Sequence, residues 1–449
     1  MSCQSNNATP PGPPVAPGLE RVDAAEAARW VAARFGRDGS VPPRLRELLP
    51  SFDAPFFQAG LAGYSDAAMR LIARRHGCPY CVTEALLDRT LLAGGRGFAK
   101  ADLGEIEDNV PGGADDRPLA GQVMGSDPRE MAAAAIKMVE QGARRDGAYR
   151  SLAYERPGCF PSGPGAPDRP GSPLPEPAAS PPTASSFDVI DVNLACPVKK
   201  IDRKARGGHW LAQPAGAIAI LEAVRAAVPS AIACSVKLRR SYDDTPEMAD
   251  AFERIFDAAY ALGYAWTTVH ARTVEQKYVG PSRWTFLRDL VASRPDRIIF
   301  GSGDVWEAAD IFRMLRYTGV SAVSVARGCI GNPWIFRQAR DLLAGRPARP
   351  PTLEQQRDVL REHFDLALRV NAAHGVRRVE AFTGRTMRKF AIRFAAFHPR
   401  ADEVRARFIA VETAEEWDAV VAEFYPAADA RTSRARVSGC AAPLVPSAG

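Results

Sequence analysis

Nowhere among the 449 residues is there an apolar run long enough to cross a bilayer, and the Pro-rich, polar N-terminus lacks the apolar core of a secretory signal. No membrane partner is expected. The eight cysteines are scattered without a paired framework, which argues against a disulfide-stapled secreted fold and for mostly buried thiols in a reducing cytoplasm. No Gly-x-Gly-x-x-Gly follows a predicted strand, so the sequence carries no Rossmann-type fingerprint for a dinucleotide. A large excess of one charge sign is also lacking, since 58 Lys and Arg against 52 Asp and Glu leave a formal net charge of only +6. That value is compatible with a nucleic-acid partner without requiring one, because clustering of cations on a face matters more than their sum. No metal site and no stable protein partner are predicted, and the chain is read as a monomer.

With 46% apolar residues at this length, the chain can bury one large core and still carry an appended domain. Short apolar, β-branched runs alternate with amphipathic stretches and predict strands near 54–59, 80–84, 118–124, 187–193, 231–238, 264–270, 297–302 and 320–326. Eight strands separated by helices read as an α/β fold, a (β/α)8 TIM barrel, followed by a C-terminal all-helical domain. The barrel is assigned to residues 51–345, after a variable leader over 1–50 in which Ala24–Phe35 has helical composition. A Pro/Gly/Ser/Ala-rich stretch over 142–186 precedes the fourth strand and is read as an irregular insertion on the barrel face opposite the chemistry. Past Pro347–Pro351 the strand pattern stops, and helical stretches begin at Thr352, Arg378 and Ala401, with another over Ala414–Phe424. This helical domain is placed at 352–427, and 428–449 reads as a disordered tail. In its second helix Met387, Phe390, Phe394 and Phe397 recur at helical spacing opposite Arg385, Arg388, Lys389 and Arg393. The apolar stripe is core; spacing alone leaves the basic one open between a solvated face and an RNA contact.

The run from Asp191 to Lys200 ends a hydrophobic stretch and sets a thiol and two cations just past a buried strand, where a barrel enzyme keeps its chemistry. Cys196 there could serve as nucleophile, metal ligand or proton donor. With no second cysteine nearby in sequence, proton donation leads, and Lys199 and Lys200 favour an anionic substrate. Gly301-Ser302-Gly303-Asp304 and Ala326-Arg327-Gly328 follow the seventh and eighth strands, where barrels often bind phosphate. Glycines let the backbone approach the phosphate, and Arg327 adds a charged fork. Lys237 on the fifth strand and His270 ending the sixth point to the same mouth.

Asn193-Leu-Ala-Cys-Pro-Val-Lys-Lys200, with Arg203-Lys204 and Gly207-Gly208, resembles the active-site motif of the tRNA-dihydrouridine synthases, flavin enzymes that reduce a uracil ring in tRNA. Further blocks are similar to family motifs in the same order: Gly63–Asp66 with Met69-Arg70, Gln122–Asp127, Val236–Arg239, Val269–Thr273, Gly301–Asp304, and Ala326-Arg327 with Gly331–Trp334. The likeness covers roughly residues 52 to 340. It implies an FMN held by Gly60, Leu61, Ala62, Gln122, Lys237, His270, Ser302, Gly303, Asp304, Ala326 and Arg327. In that likeness Lys237 stabilises the anionic reduced ring at its pyrimidine edge, while Gln122 and His270 hydrogen-bond nearby. The sequence departs from the family where Ala59–Gly63 replaces Ala-Pro-Met-Ala-Gly, Ser302 replaces Asn and Ala326 replaces Gly. Asn193, Lys199, Arg203 and Lys204 would meet the uracil or phosphates, and Arg385, Lys389 and Arg393 the tRNA, since Lys and Arg supply most non-specific nucleic-acid affinity.

The implied reaction passes a hydride from reduced FMN to C6 of uracil, with NADPH or NADH as reductant, while Cys196 protonates C5 from the other side. A thiol titrates near about 8.5 and is mostly protonated at neutral pH, although Lys199 and Lys200 should lower that value. A base inside tRNA must first leave its stack, which suits a concave mouth and a separate RNA-holding domain. An FMN-dependent reductase of a free pyrimidine or small enone is an alternative that leaves the basic helix without a role. A catalytically silent RNA-binding relative is another, against which Cys196, Lys237 and Arg327 argue.

Overall fold

Strand-forming runs separated by helical ones produce nine parallel strands in the computed structural model, which describes residues 23–35, 41–93, 116–144, 187–373 and 376–426. They are β1 (Phe56–Gln58), β2 (Cys81–Val82), β3 (Leu86–Leu87), β4 (Leu119–Met124), β5 (Val189–Leu194), β6 (Ala233–Arg239), β7 (Trp266–His270), β8 (Ile299–Ser302) and β9 (Ala322–Val325). β1 pairs with both β2 and β9, and β2 pairs with β4, so eight strands close into a ring, the expected (β/α)8 barrel. The ninth, β3, escaped the sequence reading; it adds two residues beside Val123 and Met124 at the upper end of β4.

Alternation along the strands sets what the ring encloses. At the lower end Phe57, Tyr80, Trp266 and Phe300 fill the interior, joined by Leu45 of the helix Pro43–Leu48 and by Leu49 and Phe52 just after it. Phe52 stacks on Tyr80 at 5.1 Å, and Trp266 lies 5.3 Å from Phe300. Rings of this size each bury on the order of 150–250 Å² and dominate a core, so the floor is a sealed apolar plug. Two residues further up, the inward positions turn polar: Gln122, Asp191 and Ser235, then Asn193, Lys237, His270 and Ser302.

The surrounding helices are pinned at ends that matter to the mouth. Asp66 caps Ala67–Arg75 by accepting the Met69 N–H at 2.9 Å. The helix Ala308–Thr318 starts where Asp310 accepts the N–H groups of Trp306 and Glu307 at 3.0 and 3.1 Å, which fixes the loop after β8. It stops at Gly319, whose φ of 73° favours glycine. The leader helix Ala24–Phe35 packs on Ala308–Thr318 and Trp334–Leu343, burying Ala27, Ala28 and Val31.

The predicted insertion begins inside the helix Pro128–Arg144; its remainder, 145–186, and the tail 428–449 lie outside the described residues.

A second compact unit starts at Pro350 and consists of the helices Leu353–Ala373, Val379–Phe394, Ala401–Ala410 and Ala414–Phe424. Trp417 is its centre, 4.9 Å from the rings of Phe364 and Phe408. Thr413 and Glu416 form a reciprocal cap at the start of Ala414–Phe424, with each side chain accepting the other's backbone N–H. The expected apolar stripe of the second helix ends one turn early. Met387, Phe390 and Phe394 are buried in it, whereas Phe397 falls in a 3-10 turn, because Pro399 drives the preceding His398 into an extended conformation that ends helical structure. No helix among the described residues is long and apolar enough to cross a membrane.

Candidate active site

At the upper ends of the strands the barrel opens into a cavity of about 460 Å³. Gly60, Leu61, Ala62, Gln122, Asn193, Cys196, Lys237, His270, Ser302, Gly303, Asp304, Ala326 and Arg327 all line it. They come from the upper parts of seven strands, β1 and β4–β9, or from the loops just past them, so the barrel brings together residues spread over nearly the whole first unit. Gly60 is needed by close packing, since a Cβ there would stand 2.3 Å from the Thr83 carbonyl oxygen.

The lower wall is a polar ladder. Asp191 accepts from Ser235 Oγ at 2.6 Å and from Gln122 Nε2 at 2.7 Å. Gln122 Oε1 accepts from Asn193 Nδ2 at 2.7 Å, and Asn193 Oδ1 accepts the N–H groups of Ala195 and Cys196 at 3.0 and 3.1 Å. Lys237 pairs across the sheet with Asn193. Burial pulls its ammonium down to about 8, opposed by the Asp191 carboxylate, so at neutral pH it is mostly charged.

His270 is neutral throughout the physiological range. Burial and then the cations Arg239, Lys237, Arg272 and Arg327 hold its imidazole well below the usual value. Its Nδ1 accepts the Arg272 N–H at 3.3 Å, which leaves Nε2 as the protonated nitrogen and a donor.

Cys196 departs from expectation in direction. Burial raises its thiol, while the Val198 N–H and the Arg239 guanidinium act downward, so the thiol stays protonated at neutral pH. The side chains of Lys199 and Lys200, expected to lower it, lie outside the described residues. Arg203 and Lys204 are exposed past the short helix Lys199–Asp202 and do not line the cavity.

On the far side, Asp304 has a role the sequence reading did not assign. Its carboxylate takes Arg272 Nη2 at 2.7 and 2.6 Å and the Ser282 N–H at 2.7 Å, so its side chain braces the loop, and an anion there would be met by backbone and Arg327. Arg327 lies over Trp306 at 4.6 Å and Tyr278 at 4.9 Å. Arg239 holds the Cys196 loop from the other side, donating to the carbonyls of Ala195, Thr273 and Lys277 at 2.9, 2.7 and 2.6 Å.

Asp191, Arg239, Tyr278 and Trp306 are therefore site residues that sequence reading did not assign. Asp191 and Arg239 carried a usable signal: strand alternation puts them on the inward face with Asn193 and Lys237, and buried charges there must have partners.

In the helical unit, Arg385 and Arg393 are exposed and Lys389 sits 4.9 Å over the Phe390 ring. Arg388 leaves the stripe, donating instead to the Ile409 carbonyl at 3.0 Å.

Residues 177–424, more than half of the chain, match the family model described as dihydrouridine synthase (Dus). The chain belongs to the dihydrouridine synthase family. A probable tRNA-dihydrouridine synthase of Mycobacterium leprae is 32% identical over 237 residues, which are 52% of this chain and 59% of the relative. The Mycobacterium tuberculosis counterpart is likewise 32% identical, over 52% of this chain and 58% of its own length. The chain thus aligns with under two thirds of the length of these two family members. A tRNA-dihydrouridine synthase B of Pseudomonas putida aligns more widely, at 26% identity over 82% of this chain and 90% of the relative.

Proposed function

We propose that this dihydrouridine synthase family member reduces the C5=C6 bond of a uridine in tRNA, using FMN and a nicotinamide reductant, NADPH or NADH, with Cys196 as proton donor. The observation that carries the reading is one cavity lined by a protonated thiol, an inward lysine and an arginine rim.

The residues present fit a flavin. The Ser324 hydroxyl, 2% exposed, faces the cavity without a hydrogen-bond partner among the described residues, as a group awaiting a ligand would. Gln122 would offer a hydrogen bond from low in the wall, Lys237 positive charge and neutral His270 a hydrogen bond from further up, and Gly303, Ala326 and Arg327 a phosphate seat. When bound, FMN supplies the hydride that uracil C6 receives. Cys196 holds the proton for C5: its sulfur gives up the S–H proton as the base gains it, and Arg239 nearby steadies the thiolate left behind. Asn193 fixes the loop that carries that sulfur.

The basic positions Arg385, Lys389 and Arg393 are assigned to tRNA phosphates, as are Arg203 and Lys204 and, by sequence, Lys199. The barrel unit is taken as the catalytic domain and the helical unit as the tRNA-binding one, in a cytoplasmic monomer. The test is twofold: purified protein should be yellow with stoichiometric FMN, and tRNA from a deletion strain should lack dihydrouridine at a position that the restored gene returns. A colourless protein that FMN cannot reconstitute, or unchanged tRNA, overturns the reading.

A further inference from the structure

The polar ladder beneath the cavity has a direction that is fixed at both ends, by the Asp191 carboxylate below and by the backbone N–H groups of Ala195 and Cys196 above. Asp191 is 4% exposed and sits between Ser235 Oγ at 2.6 Å and Gln122 Nε2 at 2.7 Å. Burial pushes the Asp191 carboxyl up, opposed by the hydrogen bonds from Ser235 and Gln122 and by the Lys237 ammonium; the carboxylate can only accept, so Gln122 turns its NH2 group down and its oxygen up. That oxygen takes Asn193 Nδ2 at 2.7 Å, which leaves Asn193 Oδ1 for the N–H groups of Ala195 and Cys196 at 3.0 and 3.1 Å. In the reverse sense, a carbonyl oxygen would face the carboxylate and an NH2 group would face two N–H donors. Both contacts are repulsive, so only one sense survives.

We propose that Asp191 is a positioning residue: its buried carboxylate locks the lower end of the chain Asp191–Gln122–Asn193, whose upper end holds the backbone that carries the Cys196 thiol. Charge-assisted bonds are roughly twice as strong as neutral ones, and each link here aligns the next. The consequence for catalysis rests on the reading of Cys196 as the proton donor; the geometry does not.

The test follows the thiol directly. In the full-length protein, the alkylation rate of Cys196 by iodoacetamide is measured at fixed pH by peptide mass spectrometry, with buried Cys234 and Cys329 as internal references. Asp191→Asn removes the acceptor-only group, since an amide can meet Gln122 with either end while the Ser235 hydroxyl adapts. Alkylation of Cys196 should rise about tenfold, the difference between a charge-assisted and a neutral bond. Adding Gln122→Glu to Asp191→Asn moves the acceptor-only carboxylate one link up the chain, where it accepts from both sides and restores the sense. The double variant should return to within about twofold of wild type, which a general loss of packing would not do.

A wild-type rate in Asp191→Asn, or equal acceleration in single and double variants, overturns the proposal. If Asp191→Asn does not fold, the double variant decides alone: slow alkylation supports the chain and fast alkylation overturns it. Stopped-flow reoxidation of the flavin by tRNA, run alongside, separates the two readings. Faster alkylation with slower reoxidation supports both, whereas faster alkylation with unchanged reoxidation supports the positioning role and overturns the acid assignment.

Discussion

The barrel mouth and the basic helix of the second unit solve different problems with polar residues. In the mouth, Asp191, Gln122, Asn193 and Arg239 are buried, and each engages named partners at hydrogen-bond distance. On the helix Val379–Phe394, Arg385 and Arg393 stand in solvent with no fixed geometry demanded of them. Moving a proton to one carbon atom requires a donor placed within a fraction of an ångström in a low-dielectric setting. Neutralising phosphates requires only cations on the right face. The comparison predicts that single changes in the mouth are costly and specific, while changes on the helix are small, additive and dependent on salt.

The largest break should come at Cys196. Cys196→Ala should bind FMN and accept hydride from the nicotinamide at a near-normal rate, yet be reoxidised by tRNA about 10²- to 10⁴-fold more slowly, the usual contribution of a general acid. Stopped-flow flavin absorbance follows both halves, and equal slowing of both would remove the thiol from the acid role. Next is Lys237→Ala or Arg327→Ala, each of which takes away a charge facing the cavity. FMN affinity should drop by about ten- to a hundredfold, read by flavin fluorescence on titration.

On the helix, Arg385, Lys389 and Arg393 changed together to Ala should weaken tRNA binding about tenfold and flatten the slope of log affinity against log salt by about two. Flavin content should stay normal; an unchanged slope would make this stripe an ordinary solvated face.

The smallest effect is in pH dependence, where the two halves of the mouth should separate. Burial pulls the Lys237 ammonium down to about 8, so it is charged below that value, and flavin affinity should hold at lower pH and decline as pH rises through it. The Cys196 thiol is raised, so protonation of the base should persist to higher pH than FMN binding does. A single shared decline in both profiles would mean that one group governs them.

Much of this was legible in the sequence, and the part that was not has a physical pattern. The eight ring strands followed from short β-branched runs, and the cavity residues fell at strand ends because side-chain alternation and the barrel rule are local. β3 is too short to show any periodicity. The direction of the Cys196 shift was missed because burial is a property of the closed barrel, whereas Lys199 and Lys200 are neighbours that sequence displays. Asp304 was read from its glycine neighbours as part of a phosphate loop, yet its side chain serves Arg272, 32 residues earlier in the chain. Tyr278, Trp306 and Arg327 meet only because three separate loops converge. Such stacks leave no spacing to read.

The aromatic plug of Phe52, Phe57, Tyr80, Trp266 and Phe300 makes the barrel a cup with one opening. On the proposed function, the nicotinamide that delivers electrons and the uridine that receives them would use the same doorway. The two substrates would then take turns at the cavity. Steady-state kinetics should follow a double-displacement pattern, with parallel lines in reciprocal plots and oxidised nicotinamide competing against tRNA.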